Sequence, residues 1–160
     1  MSLADRVRHP AFLQRVMSAE AAAALIPSGA NVGMSGFTGA GYPKAVPQAM
    51  ATRAKAEHAA GKPYKINVWT GASTAPELDG ALAAADALGQ RLPFNTDPIC
   101  RAKINAGEID FIDMHLSHVA QHAWFGFLGP MHVAVIEVLG VTADGLLIPC
   151  LLYTSDAADE

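Results

Sequence analysis

The sequence predicts an α/β domain built on a mostly parallel open sheet with helices on both faces. Two observations carry that reading. Short apolar segments alternate along the chain with alanine-rich stretches of helix formers, and strands separated by helices give a parallel sheet covered on both sides. Between the first apolar segment and the next helix stand Gly36, Gly39 and Gly41, the punctuation of a tight strand-to-helix turn. At 160 residues a single domain with a substantial core is expected.

In chain order, residues 11–25 read as a helix that ends at Pro27-Ser28-Gly29-Ala30. Residues 31–37 form a short buried strand. Residues 44–60 are rich in alanine and other strong helix formers and make the next helix. Pro43 suits an early position in it, where the missing N–H is no loss. Gly61-Lys62-Pro63 breaks that helix, and a strand over 66–70 and an alanine-rich helix over 76–88 follow. Residues 98–106 form a helix with Asp97 as N-cap and Pro98 in the first turn. Strands over 111–116 and 133–138 complete the sheet, and Thr142-Ala143-Asp144-Gly145 reads as a turn. No internal repeat or low-complexity linker interrupts the pattern.

Composition narrows the function. Net charge is −4 and the isoelectric point is near 5.8, so no basic face invites nucleic acid or an acidic membrane surface. No apolar run approaches the roughly 18 residues of a membrane span. The opening residues 1–10 are charged and lack the apolar core of a signal peptide, so a cytoplasmic location is expected. There are 2 cysteines, Cys100 and Cys150, too few for a disulfide framework or a Cys₄ zinc site, which suits a reducing compartment. A content of 51% hydrophobic against 16% charged residues is high for an isolated domain, and it implies apolar surface that meets a further domain or subunit.

Ligands of open parallel sheets bind outside the carboxyl ends of the strands. That rule selects the glycine turn over 36–41, Gly71-Ala72-Ser73, Asn95-Thr96-Asp97 and Ser117-His118. The candidate substrate-binding residues are Gly36, Thr38, Gly39, Gly41, Ser73, Thr96 and His118. Glycines in the turn can take positive φ or lie flush against a ligand and aim backbone N–H groups at an anion. The spacing is neither the G-x-G-x-x-G of dinucleotide folds nor a P-loop, and a plain tight connection explains it equally well. Ser73 and Thr96 offer hydroxyls to a small carboxylate, while Ser73 and Asp97 could instead cap helices. His115, His118 and His122 have metal-like spacing without the H-E-x-x-H pattern, and no metal is expected. His115 falls in the strand over 111–116. Trp124, Phe125 and Phe127 read as core or subunit contact. Glu137, inside the strand over 133–138, has the look of a buried nucleophile.

The string SGFTGAGYPKAVP over 35–47 resembles the glycine-rich N-terminal signature of the acetyl-CoA hydrolase/transferase family, the class I CoA-transferases that include succinyl-CoA:acetate CoA-transferases. WTGASTAPELDGAL, PFNTDPICRAKINAGEIDFIDMHLSHVAQ and FGFLGPMHVAVIEVLG resemble the same N-terminal domain in order and spacing, so the likeness runs from Asn31 to Pro149. It implies a NagB/RpiA/CoA-transferase-like fold and transfer of CoA between an acyl-CoA and a small carboxylate such as acetate. Coenzyme A is then a substrate, and no cofactor is expected. The family's catalytic glutamate lies in the second half of its chains, so the resemblance assigns no catalytic residue here and makes Glu137 a paired structural carboxylate. It makes His118 a hydrogen-bonding residue of the cleft or of an interface. It also implies a C-terminal domain outside this chain and a homodimer at full length. Two alternatives are an acetyl-CoA hydrolase and a non-catalytic ligand-binding domain of the same fold, regulatory or sugar-phosphate-binding.

The natural domain is expected over 1–149. Residues 150–160, CLLYTSDAADE, match the translation of a transposon mosaic-end sequencing adapter and are expected to be a non-native tail, with the natural protein continuing past Pro149.

Overall fold

The computed structural model describes residues 2–34, 40–72 and 74–149. They form two compact units, one of Ala19–Ile136 and one that joins the chain's beginning to the residues from Glu137 onward.

The larger unit is an α/β layer structure. Its elements are α3 (Ala19–Ala24), β1 (Asn31–Met34), α4 (Ala45–Ala59), β2 (Ile66–Trp69), a π-helical turn (Pro76–Gly80) running into α5 (Ala81–Ala84), β3 (Leu88–Leu92), α6 (Pro98–Asn105), β4 (Asp110–Phe111), α7 (Leu116–Trp124) and β5 (Val133–Val135). The strands form one sheet of order β4-β3-β2-β1-β5, and every neighbouring pair is parallel. Helices flank it, as the alternating pattern predicts. Val32 and Met34 of β1, Ile66 and Val68 of β2 and Leu88 of β3 bury completely against Met50 and Ala54 of α4 and Leu78 and Leu82 of the next crossover. The helix ends are built for their positions. Asp97 accepts from the N–H groups of Ile99 and Cys100, both at 2.9 Å, and Pro98 opens α6. α6 closes on Gly107 at φ 74°, whose N–H and that of Glu108 return to Ile104 and Lys103, a Schellman closure that needs the left-handed backbone.

The smaller unit contains α1 (Leu3–Arg6), α2 (Pro10–Leu13) and an antiparallel pair, β6 (Val138–Val141) with β7 (Leu147–Pro149). The turn read over 142–145 joins that pair: Gly145 N–H donates to Thr142 O, and Leu146 N–H to Thr142 Oγ1. Val7 bridges to Val141, which ties the opening residues to the hairpin.

Several expectations change. The helix expected over 11–25 is two short helices, because its halves pack in different units and neither is long enough to hold a continuous helix by itself. The helix expected over 76–88 ends at Ala84. Asp86, at φ 53°, takes the left-handed closing position, and Leu88 opens β3, a strand that the polar Gln90 and Arg91 hide from an apolar-run reading. Arg91 is nevertheless fully buried, because it meets Asp79. The strand expected over 111–116 stops at Phe111, and His115 is the N-cap of α7 rather than a strand residue. The strand expected over 133–138 splits between β5 and β6, so Glu137 is a partly exposed residue between strands and not a buried strand residue. Pro43 precedes α4, and Pro47 is the proline of its first turn.

Candidate active-site cleft

Strand order fixes where a cleft can open. The chain lays β2, β3 and β4 successively to one side of β1 and then returns to place β5 on the other side. The strand order thus reverses between β1 and β5, and in an open parallel sheet such a switch point puts the ligand crevice outside the carboxyl ends of the two strands. Asn31, at the opposite end of β1, holds the three strands in line. Its N–H donates to His132 Nδ1 at 2.9 Å, its side-chain amide donates to Pro130 O at 2.9 Å, and its Oδ1 accepts from Asn67 Nδ2 at 2.8 Å.

A cleft of about 380 Å³ lies at that crevice. Gly33 stands level with Trp69 of β2 and Ala134 of β5, so these three project to one side of the sheet. Gly33 and Ala134 are small and leave a floor. Trp69 forms one wall. Met131 lies directly over Gly33, and a Cβ there would stand 2.9 Å from Met131 Sδ. Leu116, Val119, Ala120 and Ala123 of α7, spaced along one helix face, form the roof. No charged side chain lines the cleft among the described residues.

The described residues that follow β1 and β2 make fixed contacts. Gly41, the last glycine of the turn after β1, has φ 64°, as the sequence reading asks of a turn glycine. Tyr42 follows it, is buried, and donates its hydroxyl to Glu77 Oε2 at 2.6 Å. That bond, with Lys44 nearby, holds the Glu77 carboxyl below the usual carboxylate range. After β2, Thr70 Oγ1 donates to Ala72 O at 2.9 Å and shapes the turn that follows. Thr74 Oγ1 then donates to Asp79 Oδ2 at 2.6 Å. Asp79 in turn accepts from Arg91 Nε at 2.7 Å and Nη2 at 3.0 Å, while Arg91 Nη1 donates to Leu92 O. Both side chains are fully buried, so this bidentate pair anchors the β2 loop to β3.

Gly36, Thr38, Gly39 and Ser73 lie outside the described residues. Thr96 is exposed in the loop before α6, and His118 is exposed on α7; neither is among the described residues of the cleft wall. Asp97 is a helix cap. Trp124, Phe125 and Phe127 are 89%, 72% and 74% exposed, which removes the core reading for them. Sequence reasoning missed Asn31, Tyr42, Glu77 and the Asp79–Arg91 pair. Tyr42 had a visible signal, since an aromatic directly after a glycine turn has to pack somewhere.

Residues 1–155 match the family model for the acetyl-CoA hydrolase/transferase N-terminal domain. The chain belongs to that family. Within it, this acetyl-CoA hydrolase/transferase domain is 47% identical over 129 residues to the propanoyl-CoA:succinate CoA transferase of Escherichia coli, covering 81% of this chain and 26% of that one. It is 38% identical over 144 residues to the succinyl-CoA:acetate CoA-transferase of Clostridium kluyveri, covering 90% of this chain and 26% of that one. The domain thus spans about a quarter of the length of these relatives. Its fold is shared with a crystal structure of a variant of the decarboxylase AibA/AibB, at TM-score 0.54 and 18% identity over 70% of this chain and 43% of that one, a likeness of fold alone. Among the described residues no helix is long and apolar enough to cross a membrane.

Proposed function

We propose that this domain is the N-terminal part of an enzyme that moves CoA from an acyl-CoA, such as succinyl-CoA or acetyl-CoA, to a small carboxylate such as acetate. The observation that carries the reading is the family match over residues 1–155, together with a cleft where an open parallel sheet binds its ligands. In the proposed reaction a glutamate from beyond this chain attacks the thioester carbonyl and expels CoA thiolate, leaving an acyl-glutamyl anhydride. The thiolate attacks the glutamyl carbonyl and releases the first carboxylate, which gives a glutamyl-CoA thioester. The incoming carboxylate then attacks that thioester, and the thiolate recaptures the new acyl group and frees the glutamate.

The domain's own residues have two tasks. Backbone N–H groups of the glycine turn, Gly36 to Gly41, stabilise the developing oxyanions, and Ser73 supplies a hydroxyl donor. The uncharged cleft walls exclude water, which would divert the anhydride to hydrolysis. Coenzyme A is a substrate, and the reaction uses no further cofactor. The full-length enzyme works as a homodimer.

The test compares the 160-residue chain with its full-length counterpart. CoA exchange between succinyl-CoA and acetate is expected from the full-length protein alone. Exchange by the short chain would sink the assignment of the nucleophile to the missing part. The family's name covers hydrolysis as well, so release of free CoA in the absence of acceptor, faster than transfer to acetate, would decide for an acetyl-CoA hydrolase.

A further inference from the structure

α7 is a nine-residue helix of which no residue is buried. Its sequence, LSHVAQHAW, carries no Asp, Glu, Lys or Arg. One face, Leu116, Val119, Ala120 and Ala123, roofs the cleft. The other carries a file of rings: His115 to His118 at 5.7 Å between centroids, His118 to His122 at 6.0 Å, His122 to Phe127 at 5.6 Å and Phe127 to Phe125 at 6.1 Å. The file is held in place, since His122 Nδ1 bonds to His118 O and Phe127 N–H closes onto His122 O. Trp124, the last residue of α7, is 89% exposed. Scattered exposed apolar residues need no explanation, but three large exposed aromatics, Trp124, Phe125 and Phe127, within four residues at the end of a charge-free helix have the composition of an interface core.

We infer that α7 is an interdomain element: its outward aromatic side docks against the part of the polypeptide that follows this domain in the full-length protein. That docking holds the roof of the cleft. The occupant is argued from length. The domain accounts for 26% of the chain in each of two relatives, so the covalently attached remainder is the largest surface available to it. A tethered partner acts at an effective concentration in the millimolar range for a short linker, far above that of a second molecule in solution. Because one helix serves both faces, undocking loosens Leu116 and Val119 along with Trp124. The inference does not depend on the identity of the reaction.

Hydroxyl-radical footprinting of the full-length protein, read by peptide mass, tests it without a substitution. Trp124 is expected to be oxidised at least fivefold more slowly in the native protein than in urea, equally at 0.1 and 10 µM protein. Oxidation at close to the urea rate would overturn the inference. So would protection that appears only at the higher concentration, or diazirine cross-links from residues 124–127 found only between copies in mixed isotope-labelled and unlabelled protein, since either identifies a second copy as the cover. In full-length protein carrying Phe125→Ser and Phe127→Ser, labelling of Trp124, Leu116 and Val119 should rise together by at least threefold. A rise at Trp124 alone would overturn the coupling to the roof. A variant that fails to fold leaves the wild-type measurement to decide. CoA exchange is assayed separately, so loss of activity with a protected Trp124 would count against the proposed reaction and not against the docking.

Discussion

Arg91 and Asp79 show how a single side chain can mislead a pattern reading and still be explained by chemistry. A guanidinium inside a sheet is costly unless its partner is buried with it and its donors are filled, and here Asp79, Thr74 and Leu92 O meet both conditions. Arg91→Met is therefore expected to cost about 3–5 kcal/mol, read from urea unfolding, because Asp79 stays buried with only Thr74 to satisfy it. A loss below about 1 kcal/mol would mean that the pair is dispensable. Cys100 lies nearby and is fully buried, and burial, reinforced by the Asp79 charge, pushes its thiol up to about 12. The unfolded thiol loses its proton at about 9 and the native one only at about 12, so this group favours folding below pH 9 and its contribution is lost as pH rises from 9 to 12. Native Cys100 should resist iodoacetamide at pH 8, scored by peptide mapping, and react on denaturation; rapid native alkylation would contradict its burial. The pairing of Arg91 was not legible in the sequence, since it depends on a residue from a different element.

At the scale of elements, the sequence is most readable where local chemistry and packing agree. The helix from Ala45 to Ala59 matches its expectation within a residue at each end, because helix formers, the glycine turn before it and Gly61 after it all point the same way. Asp97-Pro98 was legible for the same reason. Asp97→Ala should cost about 1 kcal/mol through two orphaned N–H groups in α6, and an unchanged melting temperature would show that water replaces the cap. Elements went unread where packing outside the segment decides. Leu88–Leu92 is a strand because Ile66–Trp69 lies beside it, and Leu116–Trp124 is a helix although its histidines and Leu116 continue the run from Phe111. The candidate site was legible as a location, at the carboxyl ends of the strands, and less so in its members. Gly41 is the glycine of the turn that can be judged: at φ 64° a valine is strained. Gly41→Val in the full-length enzyme should lower kcat/KM per folded site by at least about tenfold, or roughly 1.4 kcal/mol. Normal kinetics in the folded fraction would make the turn a connection only.

For the whole molecule, the alternation of strands and helices fixed the parallel sheet, yet it could not announce that Glu137 onward joins residues near the beginning of the chain in a second unit. That partition requires contact between chain ends, which no local window contains. The strand order carries a further consequence for biosynthesis. β1 gains its neighbour β2 early, but the bond from Asn31 N–H to His132 reaches across 101 residues, so one side of β1 stays open until β5 leaves the ribosome. A nascent chain is thus left for several seconds of translation with an unpaired, apolar sheet edge. Ribosome-bound chains stalled after Leu128 should accordingly recruit a holdase chaperone more strongly than chains stalled far enough beyond Val135 for β5 to clear the exit tunnel. Equal recruitment at both lengths would mean that the edge is shielded by some other segment while it waits.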